Sequence, residues 1–536
     1  MKPPFSRTLF ELLCEQAERF PDRLAVICGE RTASYRDLAD GAGRIAAALR
    51  SHGIGRGQRV GILVSNRLEW LETCFGATAL GAIAVPFSTW SKPPELAYLL
   101  ADSQVSALIA VAGFGGQDFS SAIGEIAPRC PNLRLVVMLG GDIRPGWVAY
   151  GDFRAAADPL EQLAPGEGAS AADDAMILYT SGSSARPKAV RLQHYAVIEN
   201  GFNIGERMGL GPDDRVLLAP PLFWAYGACN ALPATLSHGA ALVLQPRFEA
   251  GEWIGLVERH RCTAVYTLPS ITGAVLRHPE FAPARVASLR TGLMIGSPEE
   301  VGVAAERLGA AEICNIYGST ETCGNCCVTP HDWPLDRRMT GQGPPLPGVR
   351  LRMVDPETGA DLSPGETGAL EVSGYVSPGY CGASAAHNDT AFTGDGWFRT
   401  GDLGFVDDFG FHFVARDADI IKRAGINISP AEVESLLLQH PGVAQAAVVG
   451  AAAGERGEAI VAFVVAKPSV AIAAEELRAH CRALASSYKV PDHVELCAAL
   501  PVTETGKLFR RALRENAAIL MRSDGDAELR ADGSYT

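Results

Sequence analysis

Tyr179-Thr180-Ser181-Gly182-Ser183-Ser184-Ala185-Arg186-Pro187-Lys188 is a loop-forming stretch that directly follows the apolar run AMIL at residues 175–178. A loop of this composition at the end of a buried strand can wrap phosphate groups with its backbone N–H groups and its hydroxyls. It is not a Walker loop, because Pro187 stands where the second glycine would precede Lys188, and Ala189 replaces the required Ser or Thr. The pattern therefore predicts a phosphate-binding loop of another kind, with an ordinary surface turn as the alternative.

Helix-like and strand-like segments alternate around this loop, from Phe10 to about Val243. Two amphipathic stretches are typical of helices: ELLCEQAERF (11–20) and DLADGAGRIAAALRSHG (37–53). Short apolar runs are typical of buried strands: RVGILV (59–64), SALIAV (106–111), LRLVVML (133–139) and RVLLAP (215–220). This alternation predicts an α/β fold with parallel strands in a large N-terminal domain.

The pattern of residues changes in the last third of the sequence. Between Gly341 and Gly410, short strand-like segments are separated by Gly, Pro and Asp, which predicts a β-rich section at about 341–410. Beyond it, strand-like and helix-like segments predict a small α+β domain. The predicted boundaries are 1–415 for the N-terminal domain, 416–520 for the C-terminal domain, and 521–536 for a disordered tail that is polar and poor in apolar side chains.

Composition narrows the classes of function. The 536 residues are 47% hydrophobic and 20% charged, which is typical of a globular protein with several structural units. The net charge of −14 argues against a nucleic acid partner, because phosphate backbones are bound by clustered Lys and Arg. Thirteen cysteines follow no regular framework and are expected to be reduced thiols, which indicates the cytoplasm.

No export signal or membrane span is expected from the sequence. The first twenty residues lack the uninterrupted apolar core of a signal peptide, because three glutamates break their pattern. The most apolar stretch, Thr73 to Phe87, is too short to cross a bilayer as a helix. We expect it to form a buried helix that runs into a strand.

Four further motifs follow the loop in order: Asn315-Ile316-Tyr317-Gly318-Ser319-Thr320-Glu321-Thr322, Trp397-Phe398-Arg399-Thr400-Gly401-Asp402, Arg416-Asp417-Ala418-Asp419-Ile420-Ile421-Lys422 with Gly425, and Pro501-Val502-Thr503-Glu504-Thr505-Gly506-Lys507. With the loop, they resemble the adenylate-forming superfamily, which contains acyl-CoA synthetases, firefly luciferase and the adenylation domains of nonribosomal peptide synthetases. The acyl-CoA synthetase or carboxylate–CoA ligase branch is the one indicated. This resemblance implies that a carboxylic acid and ATP give acyl-AMP and pyrophosphate, after which coenzyme A takes the acyl group and AMP is released.

The resemblance implies a nucleotide site with Mg²⁺. Glu321 would hold the ion, since a hard dication prefers carboxylate and phosphate oxygens, and Thr320 would bond a phosphate oxygen. Tyr317 would stack on adenine, Asp402 would accept hydrogen bonds from the ribose hydroxyls, and Arg416 would approach the same sugar or the phosphates. The implied ATP- and CoA-binding positions are Thr180, Ser181, Gly182, Ser183, Ser184, Lys188, Gly296, Ser297, Pro298, Asn315, Tyr317, Gly318, Ser319, Asp402, Arg416, Lys422 and Gly425.

Lys507 matches the lysine that drives adenylate formation in this superfamily. Negative charge builds on the phosphoryl oxygens when the acid attacks the α-phosphorus, and an ammonium that reaches them lowers the barrier. The resemblance also implies that the small C-terminal domain is mobile and rotates between the half-reactions, so that the Gly425 segment borders a pantetheine tunnel. The sequence departs from the family pattern at two positions. Ala418 stands where Asp or Lys is usual, which leaves the balance between the two domain orientations open. Ala185 stands where glycine is usual, which leaves the flexibility of the phosphate loop open.

The acyl pocket is predicted at residues 221–227, where the resemblance places Phe223, Trp224, Tyr226 and Gly227 beside the substrate. Aromatic side chains favour an apolar acid, fatty or aryl, although aromatics in this segment can equally pack the core. Amino-acid adenylation for a carrier protein is the first alternative, but it typically needs an acidic residue here, and the segment has none. Luciferase-like oxidation is a weaker alternative.

Two interpretations outside this enzyme class stay open. A non-catalytic nucleotide-binding homologue is one, and the joint presence of Glu321, Asp402, Arg416 and Lys507 argues against it. A structural metal site at Cys323, Cys326 and Cys327 is another, but no Cys or His pair lies near them in sequence, so buried thiols are favoured. Neither the identity of the acid nor a homodimeric assembly follows from the sequence.

Overall fold

The computed structural model describes residues 7–158, 168–180, 187–416, 419–423, 426–452, 458–485, 489–502 and 508–531, without the side chains of residues 422, 426, 427 and 522–531. The chain divides into two compact units, each of which is discontinuous in sequence. The first unit comprises residues 1–352, 371–400 and 406–412, and the second comprises residues 353–370, 401–405 and 413–536.

The strands of the described ranges are, in chain order, β1 Leu24–Cys28, β2 Arg31–Ser34, β3 Arg59–Leu63, β4 Ile83–Pro86, β5 Ala107–Val111, β6 Gly113–Phe114, β7 Gln117–Asp118, β8 Leu135–Leu139, β9 Val148–Ala149, β10 Asp174–Thr180, β11 Lys188–Gln193, β12 Arg215–Leu218, β13 Ala241–Leu244, β14 Ala264–Thr267, β15 Thr291–Met294, β16 Glu312–Tyr317, β17 Cys327–Val328, β18 Arg350–Val354, β19 Gly368–Ser373, β20 Tyr380–Cys381, β21 Phe398–Asp407, β22 Gly410–Arg416, β23 Ile421–Arg423, β24 Ile426–Ile428, β25 Val443–Ala452, β26 Glu458–Ala466 and β27 His493–Leu496.

The helices of the same ranges are α1 Leu9–Arg19, α2 Tyr35–Ser51, α3 Leu68–Ala79, α4 Pro93–Ser103, α5 Phe119–Ile126, α6 Tyr150–Ala155, α7 His194–Arg207, α8 Leu232–Ser237, α9 Ala250–His260, α10 Pro269–Arg277, α11 Pro298–Glu306, α12 Leu335–Arg338, α13 Asn388–Ala391, α14 Pro430–Leu438, α15 Ala474–Leu484 and α16 Arg510–Ala531. Short 3₁₀ turns lie at Ala127–Arg129, Pro283–Val286, Thr320–Thr322 and Gly382–His387, and a π-helical turn lies at Tyr226–Ala231. Among the helices of these described ranges, none combines the length and the hydropathy that crossing a bilayer requires.

Two eight-stranded sheets organise the first unit. Their strand orders are β17-β16-β15-β14-β12-β13-β1-β2 and β20-β11-β10-β4-β3-β5-β8-β9. In the first sheet the strands from β16 to β1 pair in parallel, and in the second the strands from β10 to β9 do so. Parallel strands are covered by helices on both faces and therefore read as continuous apolar runs, as in the fully buried β5. The prediction of an α/β fold with parallel strands is confirmed.

The apolar stretch from Thr73 to Phe87 folds as the sequence predicts. Helix α3 ends at Ala79, and the chain enters β4 at Ile83 after a turn. Nearly every residue of α3 is buried, which explains why its sequence lacks the polar stripe of a surface helix.

The second unit has its own core. Its three-stranded sheet, in the order β25-β26-β27, packs against α14 and α15 through a cluster that includes Val448, Ala462 and Leu477. On another face, Leu513 and Ala517 of α16 pack against β25 and β26 residues. The two-stranded antiparallel sheet of β23 and β24 also belongs to this unit. The strands β18, β19 and β21 of the predicted β-rich section form a four-stranded sheet with β22, in the order β18-β19-β21-β22.

Candidate active site

The carboxyl ends of two neighbouring parallel strands bring two predicted segments together. Strands β15 and β16 pair at Met294 and Asn315. The predicted nucleotide-binding segment 296–298 lies just after β15, and the segment 317–321 begins at the last residue of β16. In open parallel sheets, ligands bind beyond the carboxyl ends of the strands. The structure therefore places both segments where a nucleotide is expected.

Gly296, Ser297 and Pro298 lie at the start of helix α11. The Ser297 hydroxyl accepts a hydrogen bond from the Glu300 backbone N–H at 3.4 Å, and the Glu300 carboxylate accepts one from the Ser297 N–H at 2.7 Å. Pro298 occupies the first helical turn, where its missing N–H costs nothing. This reciprocal cap fixes the backbone of the segment that is predicted to line the adenine.

Tyr317 is half-buried at the end of β16, and its ring centroid lies 4.6 Å from that of the buried Phe411. The residue after it, Gly318, is required by close packing, because a Cβ there would lie 2.2 Å from the Gly324 carbonyl oxygen. Asn315 is fully buried, and its side chain bonds the Gly341 carbonyl and the Ile316 N–H. Asn315 thus shapes the strand end, while Tyr317 presents a ring that rests on a second aromatic.

Glu321 lies in the 3₁₀ turn Thr320–Thr322. The Thr322 hydroxyl caps this turn, because it accepts a hydrogen bond from the Ser319 N–H and donates one to the Ser319 carbonyl. Glu321 is 9% exposed, and its carboxylate accepts a hydrogen bond from the Tyr380 hydroxyl at 2.9 Å. Burial, and then the Glu321 charge, raises the pKa of Tyr380 far above its ordinary value, so the phenol remains a proton donor. The carboxylate is therefore oriented by a neutral partner.

The predicted phosphate loop begins and ends at the pairing of β10 with β11, where Thr180 lies opposite Lys188. The Lys188 ammonium lies 5.1 Å from the centroid of the Tyr380 ring. Residues 181–186, which include Ser181, Gly182, Ser183 and Ser184, are outside the described residues. The structure thus brings the base of the loop close to the tyrosine that bonds Glu321.

Asp102 of α4 braces the same region. One of its carboxylate oxygens accepts a hydrogen bond from the Tyr179 hydroxyl at 2.8 Å, and the other accepts one from the Ala383 N–H at 2.8 Å. Desolvation raises the pKa of Tyr179, and the hydrogen bond to Asp102 is the next largest cause. This phenol therefore also stays protonated. Asp102 therefore fixes the strand that leads into the loop and the turn that follows β20.

In the second unit, Asp402 of β21 and Arg416 of β22 form an ion pair. The Arg416 Nε lies 2.8 Å from the Asp402 Oδ1. The Asp402 side chain is 7% exposed, whereas that of Arg416 is 54% exposed. The two residues that were predicted to approach the ribose are therefore brought together within this unit. The backbone of Lys422 lies in β23, while its side chain, Gly425, the hinge position Ala418 and Lys507 are outside the described residues.

The predicted acyl-pocket residues belong to an aromatic cluster in the first unit. The Trp90 ring meets Phe223 edge-on at 5.3 Å and Trp224 edge-on at 5.4 Å, measured between centroids. Phe223 is buried, whereas Trp90 and Trp224 are half-buried. Edge-to-face pairs at such distances are favourable beyond the area they bury. Trp90, Phe223 and Trp224 are called the aromatic cluster below.

Tyr226 and Gly227 have a different setting. The Tyr226 hydroxyl donates to the carbonyls of Thr267 at 3.1 Å and Leu293 at 2.8 Å, which ties the π-helical turn to the ends of β14 and β15. A Cβ at Gly227 would lie 2.5 Å from the Pro221 carbonyl oxygen, so only glycine allows this turn. π-Helical turns are rare and occur often at functional sites.

The thiols near Glu321 are buried. Cys323, Cys326 and Cys327 are each fully buried, and desolvation raises the pKa of Cys323 to about 12. Among the described residues, no group of three or more His, Cys, Asp or Glu side chains is arranged to hold a metal ion. The burial of all three side chains supports their interpretation as buried thiols.

Three residues of this region were not predicted from the sequence: Trp90, Asp102 and Tyr380. Each acts across a long sequence separation, 77 residues for Asp102 with Tyr179 and 59 residues for Tyr380 with Glu321. No local spacing marks such pairs.

Comparisons with known proteins identify the family of the chain. The sequence model of the AMP-binding enzyme family matches residues 13–381, and that of the AMP-binding enzyme C-terminal domain matches residues 432–507. The chain is 32% identical over 531 residues to a putative acyl-CoA synthetase, YngI, of Bacillus subtilis, covering 95% of this chain and 96% of the relative. It is 34% identical over 508 residues to a feruloyl-CoA synthase of an Amycolatopsis species, covering 93% and 97%.

A solved structure, that of the anthranilate CoA ligase AuaEII in complex with anthranoyl-AMP, matches with a TM-score of 0.86 at 28% identity, covering 98% of this chain and 100% of that chain. The chain therefore belongs to the AMP-binding enzyme family. Within that family it is an AMP-forming carboxylate–CoA ligase, which takes a small carboxylic acid, ATP and coenzyme A, with Mg²⁺ as the usual metal cofactor.

Proposed function

We propose that the chain activates an apolar carboxylic acid, fatty or aryl, and that the residues described above carry the two half-reactions. The observation that carries the choice of acid is the aromatic cluster, whose three rings meet edge-on. The surrounding segment 219–231 contains no Asp, Glu, Lys, Arg or His. A substrate ammonium or a second carboxylate would find no charged partner in that segment, and an uncompensated charge is costly to bury.

Adenylate formation requires charge stabilisation rather than a nucleophilic side chain. In our proposal the acid attacks the α-phosphorus of ATP, the bond to pyrophosphate breaks, and acyl-AMP forms. Thr180 to Ser184, Lys188 and Thr320 bind the phosphates, and Lys507 stabilises the charge that builds on the α-phosphoryl oxygens. Positioned cations and N–H groups of this kind are the main catalytic devices of phosphoryl transfer.

The donor chemistry at Glu321 fits a magnesium ion, because a buried carboxylate that a neutral hydroxyl orients supplies a hard anionic oxygen ligand. When bound, the ion neutralises phosphate charge. Tyr317 stacks on the adenine opposite the backbone of residues 296–298, with Asn315, Gly318 and Ser319 shaping that wall. Asp402 accepts from the ribose hydroxyls, and its partner Arg416 approaches the same sugar.

Thioester formation is the second half-reaction. The coenzyme A thiol attacks the acyl carbon and releases its proton to solvent, the bond to AMP breaks, and AMP leaves with the electron pair of that bond. We propose that Lys422 and Gly425 serve this step after a rotation about Ala418. In this proposal the N-terminal domain ends at residue 415, the rotating C-terminal domain comprises residues 416–520, and residues 521–536 form a tail.

An acid panel tests the function. Pyrophosphate release and thioester formation are measured with ATP, Mg²⁺ and coenzyme A for aliphatic, aryl, dicarboxylic and amino acids of matched length. We expect turnover with the aliphatic and aryl acids, and little with the dicarboxylic and amino acids, which carry a second charge. Preference for an amino acid without thioester formation would favour carrier-protein loading, and no acid-dependent pyrophosphate from any member would favour a non-catalytic homologue.

Two further proposals concern the setting of the protein. All thirteen cysteines are unpaired, which supports a reducing compartment such as the cytoplasm, and fractionation of the source cells tests it. A homodimer is the simplest assembly for such a chain, and light scattering at several concentrations tests it.

A further inference from the structure

Tyr380 has a fixed position that secondary structure explains. Strand β20 pairs with β11 at Val190 opposite Tyr380, and β11 begins at the end of the phosphate loop. The Asn388 side chain bonds both backbone groups of Tyr380: its Oδ1 accepts from the N–H at 2.7 Å, and its Nδ2 donates to the carbonyl at 3.1 Å. The backbone of Tyr380 is thus held from two sides.

The side chain of Tyr380 is equally constrained. It is 4% exposed, its ring contacts Phe392 edge-on at 6.0 Å between centroids, and the Lys188 ammonium lies 5.1 Å from its ring centroid. Its hydroxyl donates to the Glu321 Oε1 at 2.9 Å. One residue therefore contacts both the predicted metal ligand and the predicted phosphate-binding lysine.

The loop before β20 also holds the backbone of Glu321. The Ser377 N–H donates to the Glu321 carbonyl at 2.6 Å. Glu321 is therefore fixed at its main chain and at its carboxylate by residues three apart in one segment. A hydrogen bond to one carboxylate oxygen limits rotation of the group and leaves the other oxygen directed at a ligand.

We infer that Tyr380 is the positioning residue of Glu321: its hydroxyl orients the carboxylate for the nucleotide-bound metal ion, and its ring face holds Lys188 beside that metal site. This inference rests on the proposed function, because it takes Glu321 as the metal ligand. The partners of metal ligands commonly set affinity by tenfold or more, although they never touch the metal.

The test removes the hydroxyl and keeps the ring. Tyr380→Phe is compared with Tyr375→Phe, a matched control whose hydroxyl donates to Glu199 at 2.8 Å in the same unit. Mn²⁺ binding in the presence of a non-hydrolysable ATP analogue is followed by the loss of the free Mn²⁺ signal in electron paramagnetic resonance, after subtraction of the Mn²⁺ that the analogue binds without protein. We expect Tyr380→Phe to weaken Mn²⁺ binding roughly tenfold and Tyr375→Phe to leave it unchanged.

Kinetics give a second readout. The Mg²⁺ concentration at half-maximal pyrophosphate release should rise by a similar factor in Tyr380→Phe, whereas thioester formation from supplied acyl-AMP should keep the wild-type rate. In the Glu321→Gln background, adding Tyr380→Phe should cause no further loss, since Tyr380 acts through Glu321. Should Tyr380→Phe fail to fold, Asn388→Ala carries the test, with a smaller weakening of Mn²⁺ binding expected.

Wild-type Mn²⁺ affinity in a folded Tyr380→Phe, or additive losses in the double variant, would overturn the inference. Failure of the proposed function looks different. It appears as a wild-type protein without acid-dependent pyrophosphate release, whatever the tyrosine variants do.

Discussion

Each compact unit holds one of the two acidic residues that we propose for nucleotide binding, and the two carboxylates are paired differently. In the first unit, Glu321 is bonded by the phenol of Tyr380, a neutral donor that leaves the negative charge in place for a cation. In the second unit, Asp402 faces the Arg416 guanidinium at 2.8 Å, which compensates its charge. The difference suits the proposed ligands, because a metal ion needs a full charge and a ribose hydroxyl needs only an acceptor.

The largest effect of a substitution is expected at Lys507, the proposed catalytic cation of the second unit. Lys507→Ala should slow adenylate formation by roughly two to three orders of magnitude, because it removes a transition-state electrostatic contact. Thioester formation from supplied acyl-AMP should change much less. Single-turnover assays of each half-reaction measure both rates.

Lys467→Ala is the control for that experiment, since Lys467 is an exposed lysine of the same unit. It should match the wild type in both half-reactions. Equal losses in the two half-reactions of Lys507→Ala would contradict the proposed division of labour.

The next effect concerns acid stability of the first unit, through His194 at the start of α7. Its Nδ1 accepts from the Leu9 N–H at 3.1 Å, and burial lowers its pKa from 6.5 to about 4. The folded state therefore binds fewer protons than the unfolded state. The stability that this histidine provides is complete above pH 6.5 and falls by about 3 kcal/mol as the pH drops towards 4.

Urea unfolding of His194→Asn against the wild type measures this contribution. An asparagine oxygen can accept from the Leu9 N–H without titrating, so the difference between the two proteins should shrink between pH 6.5 and 4. Parallel pH dependences of the two free energies of unfolding would rule the explanation out.

A smaller effect is expected from the carboxylate of the second unit. Asp402→Asn should raise the KM for ATP roughly 10- to 150-fold, because a hydrogen bond to a charged acceptor contributes about 1.5–3 kcal/mol. Asp492→Asn is the matched control: Asp492 also pairs with an arginine of this unit, Arg423, at 2.6 Å. A KM that rises equally in both variants would mean that the loss is structural.

The sequence predicted those features of the molecule that depend on local patterns. The run RVGILV became the parallel strand β3 because consecutive apolar residues suit a strand buried on both faces. Glu321 and Thr180 could be proposed as site residues because each stands in a motif of contiguous residues. Motif order along the chain indicated the family, which the comparisons confirm.

The supporting contacts could not be predicted in the same way. Tyr380 bonds Glu321, and Asp102 bonds Tyr179, only because strand pairing brings distant segments together. Trp90 lies between Pro86 and α4, where nothing in the sequence connects it with Phe223. These partnerships depend on tertiary register, and a register is set by whole strands rather than by the residues that meet.

The smallest effect is expected at the proposed acyl pocket in the first unit. Trp224→Ala should raise the KM for aryl acids by roughly three- to tenfold, because an edge-on aromatic pair contributes about 0.5–1.5 kcal/mol beyond its buried area. Trp333→Ala is the control, since Trp333 is a half-buried tryptophan that packs on Arg337 in the same unit. KM values for benzoate-like and straight-chain acids of matched size separate the two proposed classes. If Trp224→Ala changes neither KM, the aromatic cluster packs the core, and the acyl group must be bound by other residues.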